Sequence, residues 1–248
     1  MKSARPFVFL LVLIALVSLA CGIDFGTDTP PAASPSTQEQ SSGPAATGEP
    51  VSTGQEFGTF DFDAPDDNWA NVLNVTGPTT NVANMNVETK GGFLSFDVNT
   101  KDLYTYFNYT AFEYGDVRVD ARVENRGTNN NNISLICRYT EDEGWYEFNI
   151  ANNGLYSILH GIIQTGGTPV YSLIYNGGSN KIKQGKDVNE YTAICKGRTL
   201  SLLINGSETR TVEDNKYVLR DGQVGISVSS FADLPVKVDF DWIKLSQP

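Results

Sequence analysis

The stretch GDVRVDARVE at positions 115–124 sets Val117, Val119, Ala121 and Val123 against Asp116, Arg118, Asp120, Arg122 and Glu124. An apolar side chain at every second position is the pattern of a strand that buries one face and wets the other. The same period recurs in Leu94, Phe96 and Val98, in Val224, Ile226 and Val228, and in Val236, Val238, Phe240 and Trp242. Polar turn formers separate the runs: Asn129 to Asn131, Asp142-Glu143-Gly144, Asn152-Asn153-Gly154, Asn205-Gly206 and Asp221-Gly222. An Asn-Gly step between alternating runs marks a hairpin, because both central residues tolerate positive φ. Residues 145–151 are therefore expected to pair with 155–160, and 199–204 with 208–212. No amphipathic helix emerges. About twelve to fourteen short strands need two packed sheets to bury their apolar faces, which predicts an all-β, antiparallel two-sheet sandwich.

Composition agrees with that class and excludes others. The 248 residues carry 18 basic and 29 acidic side chains, a net charge of −11, with a single histidine and three cysteines. An acidic chain is a poor partner for a polyanion, so nucleic acid is not expected. One histidine and so few cysteines leave little for a transition-metal site.

The N-terminus has a different character. Lys2 and Arg5 precede an apolar run over 7–20 that is too short for the ~20 residues of a membrane-spanning helix and has the form of a signal-peptide core. Ser18-Leu19-Ala20-Cys21 resembles the lipobox of bacterial lipoproteins, with Ser18 where the pattern usually has Leu. That resemblance implies removal of residues 1–20 and lipidation of Cys21, which anchors the chain to the cell membrane on its extracytoplasmic side. Losing Lys2 and Arg5 would take the charge from −11 to −13. Residues 27–54 are Pro, Ser, Thr, Ala and Gly with Val51 as the one large apolar residue, a composition that cannot offset chain entropy. The expected organisation is a signal peptide over 1–20, a lipidated Cys21 and disordered tether over 21–54, and one domain over 55–248.

Within that domain, Phe60-Asp-Phe-Asp63 and Trp69 open the chain. They are followed by ISLICRY (133–139), WYEFNI (145–150), LSLLING (200–206), GQVGI (222–226) and a closing VDFDWI (238–243). In order and spacing these segments resemble the concanavalin A-like lectin/glucanase superfamily, in particular laminin-G-like jelly rolls, over roughly residues 57–246. They are similar, more weakly, to 3-keto-disaccharide hydrolase-type domains, which carry an Arg and then Tyr-Glu-x-Gln where this chain has Arg138 and Tyr146-Glu147-Phe148-Asn149. The resemblance implies a jelly roll of one curved and one flatter sheet, with saccharides bound on the concave face or its rim.

Catalysis finds less support. Retaining glucanases of this superfamily place two carboxylates two residues apart on one strand as Glu-x-Asp-x-Glu, so that both face the same way. That motif does not occur here. Asp116, Asp120 and Glu124 alternate with arginines and have the form of a solvated strand face, and Asp239 with Asp241 sits on the closing strand. His160, beside Gly161, lacks a nucleophile or partner and is expected at a surface or edge. Alternation instead puts Trp145, Glu147 and Asn149 on one face, and a hairpin through 142–144 would bring Arg138 beside them. An aromatic plate flanked by a guanidinium, a carboxylate and an amide has the components of a sugar-binding site, and also those of a cross-strand ion pair beside an exposed ring. Cys137 and Cys195 remain once Cys21 is assigned to lipid. In an exported chain an even remainder favours a disulfide, the alternative being two buried thiols. Oxygen donors at Asp61, Asp63, Asp66, Asp67, Asn68 and 129–132 leave room for a structural Ca²⁺ without any EF-hand spacing; no other cofactor is implied. The expectation is an exported, membrane-anchored, non-catalytic module for a glycan or other surface polymer, with an enzyme of the same fold and a surface scaffold as alternatives.

Overall fold

The computed structural model describes residues 54–248; the expected signal peptide over 1–20, Cys21 and nearly all of the expected tether lie outside the described residues. Fifteen strands follow in chain order, with a 3₁₀ turn at Val82–Asn84. They are β1 (Gly58–Phe60), β2 (Trp69–Thr76), β3 (Met85–Thr89), β4 (Leu94–Val98), β5 (Leu103–Tyr109), β6 (Val117–Asn125), β7 (Asn131–Thr140) and β8 (Gly144–Ala151). Then come β9 (Leu155–Gln164), β10 (Thr168–Gly178), β11 (Val188–Lys196), β12 (Thr199–Ile204), β13 (Ser207–Glu213), β14 (Gln223–Ser230) and β15 (Val236–Ser246). All pairings are antiparallel. One sheet has eight strands in the order β13-β12-β11-β6-β15-β4-β3, with β1 also on β15; the other has seven, β10-β9-β8-β7-β14-β5-β2. The result is the all-β, antiparallel two-sheet sandwich that the alternation predicts, with the jelly-roll form that the resemblance implies.

Val117, Val119, Ala121 and Val123 of β6 project inward and meet Ile133, Leu135, Phe148, Ile158 and Ile226 from the seven-stranded sheet. These side chains are excluded from water, and each aliphatic or aromatic group so buried contributes roughly 1.5–3 kcal/mol. Both expected hairpins form: β8 with β9, and β12 with β13. The latter turns at Asn205 (φ 49°) and Gly206 (φ 75°), the double positive φ that matches the strand twist. Cys137 on β7 and Cys195 on β11 form a disulfide that ties one sheet to the other across 58 residues. A loop of that size is stabilised by roughly 2–4 kcal/mol.

The outer face of the eight-stranded sheet is the solvated one. Arg118 pairs with Asp120 at 2.7 Å, and Arg122 reaches both Glu190 (3.1 Å) and Asp241 (2.9 Å). Asp239 and Asp241 do not act together: β15 shifts register between Phe240 and Trp242, and Asp239 pairs with Arg126 instead. Two strands escape the alternation rule for the same reason. A bulge lies between Asn71 and Leu73 of β2 and another between Leu173 and Tyr175 of β10, so neither keeps a clean period of two.

Candidate functional site on the outer face of the seven-stranded sheet

The turn at 141–143 brings β8 back along β7, with Ile136 opposite Glu147 and Ser134 opposite Asn149. Alternation then does what the sequence predicts for three residues. Trp145, Glu147 and Asn149 all project from the face turned away from the core. Glu147 is 1 % exposed, and its carboxylate accepts four hydrogen bonds. Oε2 receives the Tyr106 hydroxyl (3.0 Å) and the Trp145 indole N–H (3.1 Å); Oε1 receives the Ser134 hydroxyl (2.7 Å) and the Asn149 amide (3.0 Å). Such saturation offsets the cost of taking a carboxylate out of water.

Around it the face is aromatic. Trp145 lies across Gly161 of β9, where a methyl group would collide with the indole. Its ring meets Tyr106 (5.3 Å), Tyr139 (5.5 Å) and Tyr171 (6.0 Å), and Tyr104 links Tyr171 to Phe231. The Tyr106 and Tyr171 hydroxyls are 2.7 Å apart. With Tyr106 donating to Glu147, Tyr171 donates to Tyr106, and a hydrogen-bonded chain runs to the carboxylate. Burial first, and then the Glu147 charge, hold the Tyr106 phenol well above its ordinary value, so it stays a donor at neutral pH. On the other side the Asn132 amide donates to Asn149 Oδ1 at 2.7 Å. There a cleft of about 350 Å³ opens, lined by Asn130, Asn132, Asn149, Asn153, Leu155 and Phe231 among others.

Arg138 is not part of this arrangement. The register of β7 shifts between Cys137 and Thr140, and Arg138 takes a left-handed backbone (φ 55°) that turns its side chain away. Its guanidinium is buried at the end of the sandwich, donating to the carbonyls of Gly115 (2.9 Å), Gly197 (2.7 Å) and Leu219 (2.7 Å) and pairing with Asp116. The bulge that redirects it leaves no trace in a period-two reading. Trp145 also departs from the expected exposed plate, being 1 % exposed beneath its neighbours. His160 is buried rather than at the surface, stacked on Tyr217 at 3.9 Å with Nε2 3.1 Å from the Glu143 carbonyl oxygen. Tyr106 and Tyr171 were not legible as site residues. In LYTYFNY (103–109) both faces are bulky, and Tyr171 sits on a bulged strand.

Among the described residues no group of three or more His, Cys, Asp or Glu side chains is placed to hold a metal ion. Of the oxygen donors near 61–68, Asp66 Oδ1 is engaged by Asn68 through backbone and amide at 3.0 and 2.7 Å. A turn explains that contact.

No protein-family model matches the chain, and no curated protein matches it in sequence. Solved structures do match its fold. A glycoside hydrolase family 16 endo-glucanase from Bacteroides ovatus, in complex with G4G3G-2F-DNP, superposes with a TM-score of 0.56 at 13% identity, over 76% of this chain and 99% of that one. A prokaryotic β-1,3-1,4-glucanase (lichenase) derived from a mouse hindgut metagenome gives 0.53 at 13%, over 77% and 98%. A protein of unknown function with a galectin-like fold from Bacillus subtilis gives 0.52 at 10%, over 72% and 96%. At such identities the likeness defines the fold alone, and the fold is the concanavalin A-like jelly roll.

Proposed function

We propose that this chain is a non-catalytic carbohydrate-binding module, exported and carried on a lipid-anchored tether. The observation that carries the reading is the state of Glu147. It is the only Asp or Glu in the seven strands of its sheet, and its oxygens are committed to four donors of the same face. Hydrolysis by a carboxylate pair needs two such groups, about 5–5.5 Å apart for retention or about 6.5–9.5 Å for inversion, and these strands supply one. Glu147 instead fixes Tyr106, Trp145, Ser134 and Asn149 in place, and beside them lie half-exposed Tyr104, Tyr171 and Phe231 and the asparagine-lined cleft. Flat apolar rings beside oriented amides suit the C–H and O–H surfaces of a sugar.

The anchoring part rests on Lys2, Arg5, the apolar run over 7–20 and Cys21. A glycan array probed with the full chain tests the binding reading. Saturable binding to a defined glycan class, weakened in Tyr171→Ala and in Asn149→Ala without release of reducing or keto sugars, is expected. Undiminished affinity in both variants sinks the face. Sugar release abolished by Glu147→Gln promotes the enzyme. For the anchor, Cys21→Ser should free the chain from the membrane fraction.

A further inference from the structure

The seven strands of the site's sheet contain one acidic side chain, Glu147, and two that can carry positive charge, Arg138 and His160. Neither of those two is offered to the face. Arg138 is held by three carbonyls and Asp116 at the end of the sandwich, and His160 is stacked against Tyr217 on the inner side. The field that these strands present is therefore that of a single buried carboxylate, whose negative charge is screened little by salt. The face also carries unmet hydrogen-bonding capacity. Five side-chain polar atoms among the described residues are buried without a partner, and three of them, Asn108 Oδ1, Ser227 Oγ and Ser229 Oγ, lie on adjacent strands β5 and β14 of this sheet. Ser227 and Ser229 stand opposite Tyr106 and Tyr104 in register, pointing the same way. These oxygens are neutral and enclosed, so they add no charge to the field at the face.

From these observations we infer that the face selects uncharged, hydroxyl-rich glycans and rejects uronate- or sulfate-bearing ones. The inference rests on the carbohydrate-binding reading above and adds the ligand's chemical class. A carboxylate or sulfate brought onto this face would approach the Glu147 charge with no cation from the strands between them, whereas a neutral sugar meets the half-exposed rings of Tyr104, Tyr171 and Phe231 and the amides of Asn132 and Asn149 without that penalty. Like-charge approach to within about 10 Å of that carboxylate, at the effective dielectric of a protein surface, costs on the order of tenfold in affinity.

The experiment is affinity electrophoresis of the full chain through gels containing a β-glucan, a mannan, a xylan or a galactan, each paired with a carboxymethylated or sulfated derivative of the same backbone. Retardation by at least one neutral polymer, with its anionic derivative at least about tenfold weaker, is the expected result. Equal or tighter binding of the derivative overturns the inference and leaves the carbohydrate reading standing. Absence of binding to both forms of every backbone overturns that reading, and the inference with it. Glu147→Gln should narrow the neutral-to-anionic ratio. An unchanged ratio in a folded variant means that the discrimination comes from the chain's net charge, not from this face. Should Glu147→Gln not fold, Asn132→Lys at the rim of the same face replaces it and should raise binding of the anionic derivative severalfold; no rise contradicts the assignment.

Discussion

The two outer faces of this sandwich share one core and differ in almost everything else. On the eight-stranded sheet, charged side chains pair in solvent: Arg118 with Asp120, Arg122 with Glu190 and Asp241, Lys237 with Asp97. Such pairs are worth about 0–1 kcal/mol each and mainly keep the face wet. On the seven-stranded sheet one carboxylate is withdrawn from water beneath aromatic rings and given four donors. Stability alone does not call for that arrangement, since an apolar replacement of similar volume is often at least as stable. What it achieves is fixed orientation of an indole, a phenol, a hydroxyl and an amide, the preorganisation that the proposed glycan recognition calls for.

The contrast between the two faces is greatest at Glu147. Glu147→Ala leaves four donors without their acceptor and should lower unfolding stability by about 3 kcal/mol or more, measured by urea denaturation. A loss under about 1 kcal/mol would mean that the network is no more demanding than the ion pairs opposite. Removing the disulfide by the double change Cys137→Ala and Cys195→Ala should cost roughly 2–4 kcal/mol, because it unties both sheets at once. Gly161→Ala places a methyl against the Trp145 indole and should cost roughly 1–3 kcal/mol and shift the tryptophan fluorescence. Arg122→Ala, on the other face, should cost under about 1 kcal/mol despite its two partners.

A pH series sharpens the picture further. Burial pulls the His160 imidazole below its ordinary value. Below about pH 6.5 the unfolded chain binds a proton that the folded one resists. Stability should therefore fall as pH drops from about 6.5 toward the folded value, and level off beneath it. In His160→Gln that part of the acid-side loss should vanish from a melting-temperature series, whatever the variant's stability at neutral pH.

How much of this was legible in the chain follows from where period two survives. β6 announces itself because valines alternate with charges, and the fold class follows from that strand and its counterparts. Trp145, Glu147 and Asn149 keep strict alternation on β8 and so were placed together correctly. Arg138 stands two residues beyond Ile136 and by parity belongs to the same face, yet the β7 bulge reverses it. Tyr171 was hidden because the bulge in β10 breaks its period, and Tyr106 because β5 is bulky on both sides. The acceptor role of Glu147 was invisible for a further reason: its partners come from β5, β7 and β8, segments whose adjacency is a property of sheet order, not of local sequence.

The central claim is that the face organised by Glu147 receives a glycan, and tryptophan indole resonances test it most directly. The chain has three tryptophans, of which Trp145 donates to Glu147, Trp69 belongs to the inter-sheet core, and Trp242 lies on the other sheet. Neutral gluco-, manno-, xylo- and galacto-oligosaccharides titrated into ¹⁵N-labelled protein should, for at least one series, shift the Trp145 Nε1–H signal saturably while that of Trp242 stays still. Saturable shifts at Trp242 with Trp145 unmoved, or no shift at either in any series, would contradict the account.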